Sequence, residues 1–589
     1  MDENIISSAT KSNWERLEVN DIDVKTRLSK RANKRFSTKN ILPLEYFSNS
    51  KNLAILNKIL DYVKLNPLDI KTVIFNLALN YLKSKNTISF QNLSISTPNK
   101  YIQVVLEHFG DFKFDDFLLS VEFPTDEKDF LGLVYQSLLK EGSKNKKGSY
   151  YTPENVVLRE ISKLSFSSDM KIFDPCCGTG SFLLSASDKI SEPENIYGCD
   201  LDEIAVFIAK INLLVKFKDK IFKPNIYHAD FLLLKDEIPL SFFDVITTNP
   251  PWGAMPTPEY KNLSQNIKSG ESFSYFIENS CKYLNDNGLA TFVLPVSILN
   301  VASHKDVRKF ILDNFQINEI HLYGKIFSGV LSDVISIQLK KSKRSKNIRL
   351  TSSDFEKSIP QSVYQNNPRF DFTLFGMDDL VLLDKIYSTP HNTLADSVWA
   401  LGIVTGNNKK HLSKKLKSGL EQIYSGKNIT SYFIKKSNKF IHYDRNKFQQ
   451  VASDKIYRAK EKLVYKFISK KLSFAYDNEG KLFLNSANIL IPKVKTHSIK
   501  TILAFLNSKL MQYIYCTKFN ELKVLKSNLS LLPFPELTTK DKKDIEQLVE
   551  SYMVLNDENI LNKIDKKVYS LFKLSKEEIG YIEKTLANR

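Results

Sequence analysis

Between about residues 150 and 340, short apolar runs alternate with helical periodicity, and this alternation constrains the fold more than any other feature of the chain. Apolar residues at three- and four-residue spacing predict helices, and short runs bounded by turn residues predict strands. Their alternation predicts an open, doubly wound α/β sheet with helices on both faces. The predicted strands are Met170–Phe173, Asn195–Cys199, Asn225–Tyr227, Asp244–Thr247, Leu289–Leu294, Glu319–Tyr323 and Val334–Leu339. The predicted helices are Pro153–Leu164, Gly180–Ile190, Glu203–Phe217, Ser272–Leu284 and Ser303–Asn314.

The rest of the 589-residue chain divides around this sheet. A chain of this length holds about three domains of roughly 150–200 residues each. Residues 1–140 are predicted to form a mainly helical domain, and 141–345 the doubly wound domain. Residues 346–395 are predicted to be an irregular linker. Residues 396–589 are predicted to form a mixed α+β domain that ends in helices.

The positive charge is concentrated in one part of the chain. Residues 401–500 contain 22 Lys or Arg and 6 Asp or Glu, an excess of 16 within a net charge of +18 for the whole chain. A general basic drift of composition would spread evenly, whereas this charge does not. A basic domain attached to a nearly neutral one predicts a polyanionic partner such as nucleic acid.

Several classes of protein are excluded by composition. No stretch approaches about 18 uninterrupted apolar residues, so no membrane span is predicted. The acidic start, Met1-Asp2-Glu3-Asn4, lacks the layout of a signal peptide. The chain has five cysteines and no C-x-x-C pair, which argues against structural zinc and a disulfide framework. A reducing cytoplasm is the predicted compartment, and no metal site is predicted.

A glycine-bearing turn follows the first predicted strand. Residues 174–180 read Asp-Pro-Cys-Cys-Gly-Thr-Gly, a spacing that matches neither the dinucleotide fingerprint nor a P-loop. Glycines let a backbone approach a ligand closely. The carboxylate of Asp174 before the turn favours a cationic ligand group, such as an α-ammonium, over phosphate. The alternative is a purely structural glycine turn between a strand and a helix.

Acidic residues end the next two predicted strands. Asp200 lies about 20 residues beyond the glycine turn, where a carboxylate commonly binds the hydroxyls of a ribose. Asp230 and Phe231 end the third strand, where a carboxylate can accept an amino hydrogen and a ring can flank a base. Each acid alone is a weak signal, because acids at strand ends are common. Three in register at successive strand ends predict one nucleoside-binding edge.

Asn249-Pro250-Pro251-Trp252 follows the fourth predicted strand, at the edge where open α/β sheets bind ligands. The Asn249 side-chain oxygen and the Pro250 carbonyl can both accept hydrogen bonds from an exocyclic amino group, and neither proline has an N–H that competes. Trp252 can stack on a planar ring. Adenine is a molecule of this description.

Upstream, Gly148-Ser149-Tyr150-Tyr151-Thr152-Pro153 precedes the helix that leads into the sheet. Thr152 is a good N-cap residue and Pro153 a good first helical residue, which explains these residues structurally without any ligand. A functional role for them depends on the context of the other motifs.

Taken in order, Gly-Ser-Tyr-Tyr-Thr-Pro, Asp-Pro-Cys-Cys-Gly-Thr-Gly-Ser-Phe and Asn-Pro-Pro-Trp resemble the gamma class of DNA adenine-N6 methyltransferases of restriction–modification systems. The motif-bearing resemblance covers about residues 130–340. A looser one, to the target-recognition domain of that class, covers 396–540 and includes Leu401–Gly406, Tyr424–Ile429 and Leu532–Pro535. The departure is Trp252, since Tyr or Phe is more usual there.

The resemblance implies a Rossmann-like fold that uses S-adenosylmethionine, double-stranded DNA as partner, and possible pairing with a separate cognate restriction endonuclease. It implies direct methyl transfer to an adenine that has left the DNA stack, with Trp252 and Phe327 on either side of the base. The implied catalytic residues are Asn249, Pro250, Pro251, Trp252 and Phe327. The implied cofactor-binding residues are Tyr151, Thr152, Asp174, Cys176, Gly178, Gly180, Asp200, Leu201, Asp230 and Phe231.

Other interpretations stay open on the sequence. A fused nuclease would need carboxylates and a lysine around Mg²⁺, for which Asp69 and Asp111-Phe112-Lys113 are thin candidates. A modification subunit that relies on a separate specificity chain is disfavoured by the basic C-terminal region. Glutamine or RNA methylation is a further alternative, although glutamine methyltransferases that share Asn-Pro-Pro-aromatic are typically small. A DNA-binding protein with an inactive methyltransferase fold is disfavoured by the intact Asn249.

Overall fold

The computed structural model describes residues 5–7, 25–27, 46–47, 49–91, 94–110, 112–124, 126–139, 151–165, 167–233, 242–253, 257–327, 332–342, 347–519 and 523–587. The chain forms two compact units, one of residues 35–372 and one of residues 1–34 with 373–589. The predicted boundaries at 140/141 and 345/346 lie outside the described residues, so the proposed domain division stays a prediction.

Two three-residue strands near the start of the chain, β1 (Ile5–Ser7) and β2 (Lys25–Arg27), pair in parallel. The strands of the 35–372 unit are β3 Ser89–Gln91, β4 Ser94–Ser96, β5 Ile172–Asp174, β6 Ile196–Asp200, β7 Asn225–His228, β8 Phe243–Thr248, β9 Leu284–Pro295, β10 Gln316–Gly324, β11 Val334–Lys340, β12 Asn347–Ser352 and β13 Glu356–Pro360. Its helices are α1 Ser50–Leu65, α2 Ile70–Ser84, α3 Lys100–Phe109, α4 Asp116–Ser120, α5 Phe130–Leu138, α6 Glu154–Ser162, α7 Ser181–Ala186, α8 Glu203–Lys216, α9 Pro258–Leu263, α10 Ser272–Lys282, α11 Lys305–Asn314 and α12 Gln361–Gln365.

A nine-stranded sheet in the order β13-β12-β10-β11-β9-β8-β5-β6-β7 forms the centre of this unit. Its strands run in one direction except β11 and β13, which are antiparallel to their neighbours. The strand order reverses between β5 and β8, so their carboxyl ends border the crevice where sheets of this type bind ligands. The doubly wound fold predicted from the sequence is confirmed.

The strands predicted between 170 and 339 are all present as β5 to β11, with ends shifted by up to five residues. The stretch predicted to be irregular differs, because β12 and β13 extend the sheet beyond β10. In β12 only Ile348 and Leu350 alternate with exposed Asn347 and Arg349. Two apolar residues beside a lysine-rich run give too weak a period-two pattern to predict this strand from sequence.

The N-terminal helices pack directly on the sheet unit. The rings of Phe109, at the end of α3, and Phe207, in α8, stack with centroids 3.8 Å apart. The Lys71 ammonium, in α2, lies 2.6 Å from the Glu203 carboxylate. Asp69, one of the nuclease candidates, caps α2 by accepting a hydrogen bond from the Thr72 amide, and Asp111 lies outside the described residues. The N-terminal helices therefore belong to the same compact unit as the nine-stranded sheet.

The other unit is mixed α+β, as predicted. Its strands are β14 His391–Asn392, β15 Val398–Leu401, β16 Leu412–Ser413, β17 Glu421–Tyr424, β18 Phe440–Ile441, β19 Lys462–Lys466, β20 Phe474–Asp477, β21 Leu482–Phe483, β22 Ala487–Ile491 and β23 Phe534–Pro535. Its helices are α13 Met377–Ser388, α14 Asn408–His411, α15 Asp454–Tyr457, α16 Ile499–Asn507, α17 Lys509–Lys518, α18 Lys526–Leu529, α19 Thr539–Leu555, α20 Glu558–Leu571 and α21 Lys576–Ala587. Two four-stranded sheets, β15-β22-β19-β20 and β16-β18-β17-β21, form its core.

Two glycines of the C-terminal motifs are explained by close backbone approach. A Cβ at Gly402 would lie 2.3 Å from the Leu484 carbonyl oxygen, and one at Gly426 would lie 2.4 Å from the Ser486 carbonyl oxygen. Any side chain there would push neighbouring segments apart. These glycines are structural requirements of the two packed sheets.

Candidate active site

A cavity of about 390 Å³ opens at the carboxyl ends of β5, β6, β7 and β8. Its size falls within the range of roughly 300–1,000 Å³ that is usual for small-molecule sites. The residues that line it are Gln136, Tyr151, Thr152, Asp174, Pro175, Cys176, Cys177, Gly178, Thr179, Ser181, Phe182, Asp200, Leu201, Asp202, Ala229, Asp230, Phe231, Leu232, Asn249, Pro251, Thr257, Tyr260, Ser272 and Phe276. The structure therefore brings nearly all the predicted cofactor-binding residues to one place.

The glycine turn forms the floor of the cavity between β5 and α7. Gly178 and Gly180 have φ angles of +52° and +93°, in the region that favours glycine. A Cβ at Gly178 would have no neighbour within 4 Å, so this face of the turn is open to a ligand. Gly180, which is not in the cavity lining, starts α7. The Gly178 amide donates to the Asp200 carboxylate at 2.8 Å, which ties the turn to the end of β6.

The charge of the cavity is negative. Asp174, Asp200, Asp202 and Asp230 all line it. Asp174 is only 1% exposed. Burial, together with the negative charge of Asp200, raises the pKa of Asp174 to about 7, against opposing hydrogen bonds from Thr248 and the Cys176 amide. A buried acidic cavity favours a ligand that carries positive charge.

The Asn249 amide is oriented by Thr152. Its nitrogen donates to the Thr152 hydroxyl at 3.1 Å, so its oxygen is the atom available to act as an acceptor elsewhere. The predicted capping role of Thr152 is wrong. Pro153 is the N-cap of α6, which begins at Glu154 and has no side-chain capping bond. Thr152 is instead buried and lines the cavity, where its hydroxyl accepts the hydrogen bond from Asn249, the residue that follows β8.

The rest of the Asn-Pro-Pro-Trp loop is fixed by neighbouring side chains. The Ser272 hydroxyl donates to the Pro251 carbonyl at 3.0 Å, and the Cys176 thiol lies 3.4 Å from the Asn249 carbonyl. Burial raises the pKa of the Cys176 thiol well above its usual range, so this thiol stays protonated. Cys176 therefore acts as a donor that positions the loop. Pro250 is buried beside the cavity lining.

Trp252 and Phe327 differ from the predicted sandwich. Their rings meet edge to face, with centroids 5.1 Å apart and an angle of 83° between planes. Both are buried, and the Trp252 indole N–H donates to the Val293 carbonyl at 3.3 Å. Two rings in edge-to-face contact leave no room for a base between them. The two aromatic residues are nevertheless direct neighbours.

Asp230 and Phe231 have partners that sequence reasoning missed. The Tyr260 hydroxyl, from α9, donates to the Asp230 carboxylate at 2.5 Å. Burial, then Asp230, raises the pKa of Tyr260 above its usual range. Phe231 is 2% exposed and packs against Phe173 and Phe276. Its ring therefore belongs to the hydrophobic core, and the residue also lines the cavity. Tyr260 lies in a polar stretch with no periodic pattern that would have marked it.

Known proteins with similar sequences place this geometry in a family. Residues 126–369 match the family described as N-6 DNA Methylase, and 421–534 match the TaqI-like C-terminal specificity domain. The type II methyltransferase M.VspI from Vibrio sp. (strain 343) is 36% identical over 307 residues, covering 50% of this chain and 74% of M.VspI. The chain belongs to the N-6 DNA methylase family. The predicted enzyme class, a DNA adenine methyltransferase of restriction–modification type, is confirmed.

Other members of this methylase family and a solved structure extend the likeness along the chain. The type II methyltransferase M.HincII from Haemophilus influenzae is 22% identical over 528 residues, covering 74% of this chain and 99% of M.HincII. The structure of the Type IIL restriction-modification enzyme MmeI in complex with DNA superimposes with a TM-score of 0.61 at 13% identity. It covers 92% of this chain and 98% of MmeI. The fold predicted for the methylase, including a C-terminal specificity domain, is confirmed.

The methylase also has residues on or beside α5, not predicted from the motifs, that line the cavity or contact its lining. Gln136 lines the cavity, and the Tyr135 hydroxyl donates to the Asp202 carboxylate at 2.8 Å. Asp129, the N-cap of α5, contacts the cavity residues Thr179 and Tyr151. The spacing Asp129-x-x-Gly132 at the start of α5 is the sequence signal that accompanies these contacts.

Among the described residues, no helix is long and apolar enough to cross a membrane. Within the same part of the chain, no group of three or more His, Cys, Asp or Glu side chains is arranged to hold a metal ion.

Proposed function

We propose that this methylase transfers a methyl group from S-adenosylmethionine to the N6 amino group of a flipped adenine in duplex DNA, at a site that its own C-terminal domain selects. The observation that carries the proposal is the meeting of Asn249 and an acidic, glycine-floored cavity at one switch point of the sheet. A role as the modification arm of a restriction–modification system, with a separate cognate nuclease, is part of the proposal.

The cavity fits S-adenosylmethionine by charge and shape. The cofactor carries an ammonium and a sulfonium group, and four carboxylates line the cavity. Asp174 would hold the ammonium, Asp200 the ribose hydroxyls, and Asp230 with Phe231 the adenine end. Gly178 offers an open backbone face on the floor. When bound, the cofactor supplies an activated methyl group on a positively charged sulfur.

The chain's own contribution to the chemistry lies in Asn249 and the Pro250 carbonyl. The exocyclic amine of adenine is a poor nucleophile because its lone pair is delocalised into the ring. Two acceptors fixed on its hydrogens favour a pyramidal nitrogen and stabilise the positive charge that develops there. Thr152, Ser272 and Cys176 hold the loop in place before the base arrives, so little reorganisation is needed.

Base entry requires a change at Trp252 and Phe327. We expect one ring to turn from the edge-to-face contact so that the extruded base stacks between them. Unstacking a base from the duplex costs a few kcal/mol, which aromatic stacking in the pocket offsets. The larger indole at position 252 then contributes contact area and fixes the width of the pocket.

DNA contact is proposed for the basic 401–500 region, and two turns in it have the same construction. In the first turn, the Ser413 hydroxyl donates to the Lys415 carbonyl and accepts from the Lys415 amide. In the second turn, the Ser469 hydroxyl makes the same two bonds with Lys471. The lysines Lys414, Lys415, Lys470 and Lys471 are exposed and form no ion pair with any residue that the structure describes. Arg458, by contrast, is engaged by Glu421 at 2.7 Å.

Replacing Lys470 and Lys471 together by Ala is expected to weaken DNA binding in a salt-dependent way. Each phosphate contact contributes about 0.9 to the slope of log K against log salt concentration, so the slope should fall by about 1 to 2. The measurement is DNA affinity by fluorescence anisotropy over a salt series. Lys385→Ala removes a lysine that is paired with Glu578 and should leave the slope unchanged. An unchanged slope in the double variant would remove these lysines from the interface.

Cofactor affinity is expected to depend on pH through Asp174. In the protein without ligand, burial raises the pKa of Asp174 to about 7. A cationic ligand prefers the ionised carboxylate. Below pH 7 the ligand must displace a proton, so the Kd should rise as pH falls, approaching about tenfold per pH unit. Calorimetric titration with S-adenosylhomocysteine from pH 5.5 to 7.5 measures this. Asp174→Asn should bind more weakly and lose this part of the slope; an identical slope in both proteins would contradict the assignment.

The proposed function itself is tested with the purified chain, labelled S-adenosylmethionine and duplex DNA. Incorporation of label into DNA, followed by mapping of the modified base, is expected to give N6-methyladenine within one short sequence. Absence of incorporation without any other subunit would point to a modification subunit. Site-specific cleavage on addition of Mg²⁺ would point to a fused nuclease.

A further inference from the structure

We infer that Asp129 is a positioning residue for the cofactor side of the site, fastening the glycine turn to two scaffold helices. Asp129 lies 45 residues before Asp174 in the chain and outside the motifs that identify the family's cofactor loop. The inference rests on the proposed function, because it concerns the same cavity. Its carboxylate does not line that cavity and acts through residues that do.

The two oxygens of Asp129 face two different parts of the molecule. Oδ1 caps α5 by accepting from the Gly132 backbone amide at 3.0 Å. It also accepts from the side-chain amide of Asn212, in α8, at 2.8 Å. Oδ2 accepts from the Thr179 hydroxyl and, at 3.4 Å, from the Ser181 hydroxyl, both on the glycine turn or at the start of α7. One oxygen therefore holds rigid helices, and the other holds the ligand-binding turn.

Further bonds close this network around the turn. The Asn212 amide also donates to the Thr179 carbonyl at 3.1 Å. Burial raises the pKa of the Tyr151 hydroxyl well above its usual range, and this hydroxyl lies close enough to Asp129 and Ser181 for both to affect that pKa. Thr179 and Tyr151 both line the cavity. A change at Asp129 therefore reaches the cavity lining through the hydrogen bond from Thr179.

The approach of Asp129 to the turn depends on a glycine. A Cβ at Gly132 would lie 2.2 Å from Asp129 Oδ2 and 2.5 Å from Thr179 Oγ1. Both distances are far below contact, so any side chain at 132 would displace the bond between Asp129 and Thr179. Since a helix interior otherwise disfavours glycine, its presence here follows from this close approach.

The network makes Asp129→Ser and Asp129→Asn a discriminating pair. Serine retains a capping oxygen for α5 but is too short to reach Thr179. Asparagine retains Oδ1, and its amide can donate to the Thr179 and Ser181 hydroxyls, which then accept. We expect Asp129→Ser to weaken S-adenosylhomocysteine binding about ten- to hundredfold, the range for bonds to a charged group, and Asp129→Asn to weaken it about threefold.

Thr179→Val tests the same bond from the other side. It should weaken S-adenosylhomocysteine binding as Asp129→Ser does. The double variant should be no weaker than the weaker single variant, because the bond between Asp129 and Thr179 that Thr179→Val removes is already absent in Asp129→Ser. In Asp129→Ser at saturating S-adenosylmethionine, kcat and DNA affinity should stay within about threefold of wild type, so that the effect appears in the KM for cofactor.

Calorimetric Kd values for S-adenosylhomocysteine and thermal melting of each variant decide the outcome. Wild-type affinity in a folded Asp129→Ser variant, or additive losses in the double variant, would overturn the inference. If Asp129→Ser does not fold, Thr179→Val decides alone, with weakened binding in support and unchanged binding against. Failure of the wild-type chain to bind S-adenosylhomocysteine would instead overturn the proposed function.

Discussion

Replacing Asn249 by Ala is expected to lower the rate of methyl transfer by about 100- to 1,000-fold, the loss typical of removing one preorganised group from a developing charge. The alanine variant loses the side-chain acceptor for the amine, whereas the Pro250 carbonyl remains. The Thr152 hydroxyl loses only its donor, at 3.1 Å. Single-turnover transfer of labelled methyl to duplex DNA measures the chemical step directly.

The control for Asn249→Ala is binding. On the proposed function, Asp174, Gly178 and Asp200 bind the cofactor and the basic region binds DNA, so we expect both affinities to stay within a few-fold of wild type. A loss of binding equal to the loss of rate would mean that Asn249 acts on the ground state. A transfer rate equal to wild type would remove Asn249 from the catalytic group.

Replacing Arg308 by Leu is expected to lower the free energy of unfolding of the 35–372 unit by about 3–5 kcal/mol. Its guanidinium is fully buried and donates to the carbonyls of Ile298, Val301, Arg369 and Phe370 at 2.8 to 3.0 Å, and to Asp371 at 3.1 Å. Leucine fills part of the space but leaves these acceptors unsatisfied.

The bonds of Arg308 also hold a strained backbone. Phe370 has a φ of +55°, in the left-handed region that a large side chain rarely adopts, and its carbonyl is one of the acceptors. Thermal or denaturant unfolding measures the loss, with a fall in Tm of roughly 10 °C expected. Arg349→Leu removes an exposed arginine paired with Glu356 and should cost less than about 1 kcal/mol. Equal effects of the two variants would contradict the structural role of Arg308.

Much of the catalytic fold was predictable, because strands such as β5 and β8 are buried, largely apolar runs with polar residues at their carboxyl ends. Strand β12 was not, since Ile348 and Leu350 alone give too little periodicity. The helix-capping role predicted for Thr152 was wrong because local sequence alone suggested it. A threonine before a proline fits a helix cap locally, and only packing shows that its hydroxyl meets Asn249 instead.

The sequence by itself determined the enzyme class and the sheet edge where the motifs of this methylase meet, because those motifs occur at strand ends and parallel strands bring the ends to one edge. Asn249, Asp174 and Asp200 could be placed together on that ground alone. Only the tertiary structure decided which side chains hold them in position. Asp129, Tyr260 and the edge-to-face pair of aromatic rings arise from contacts between segments distant in sequence, and no local pattern encodes such contacts.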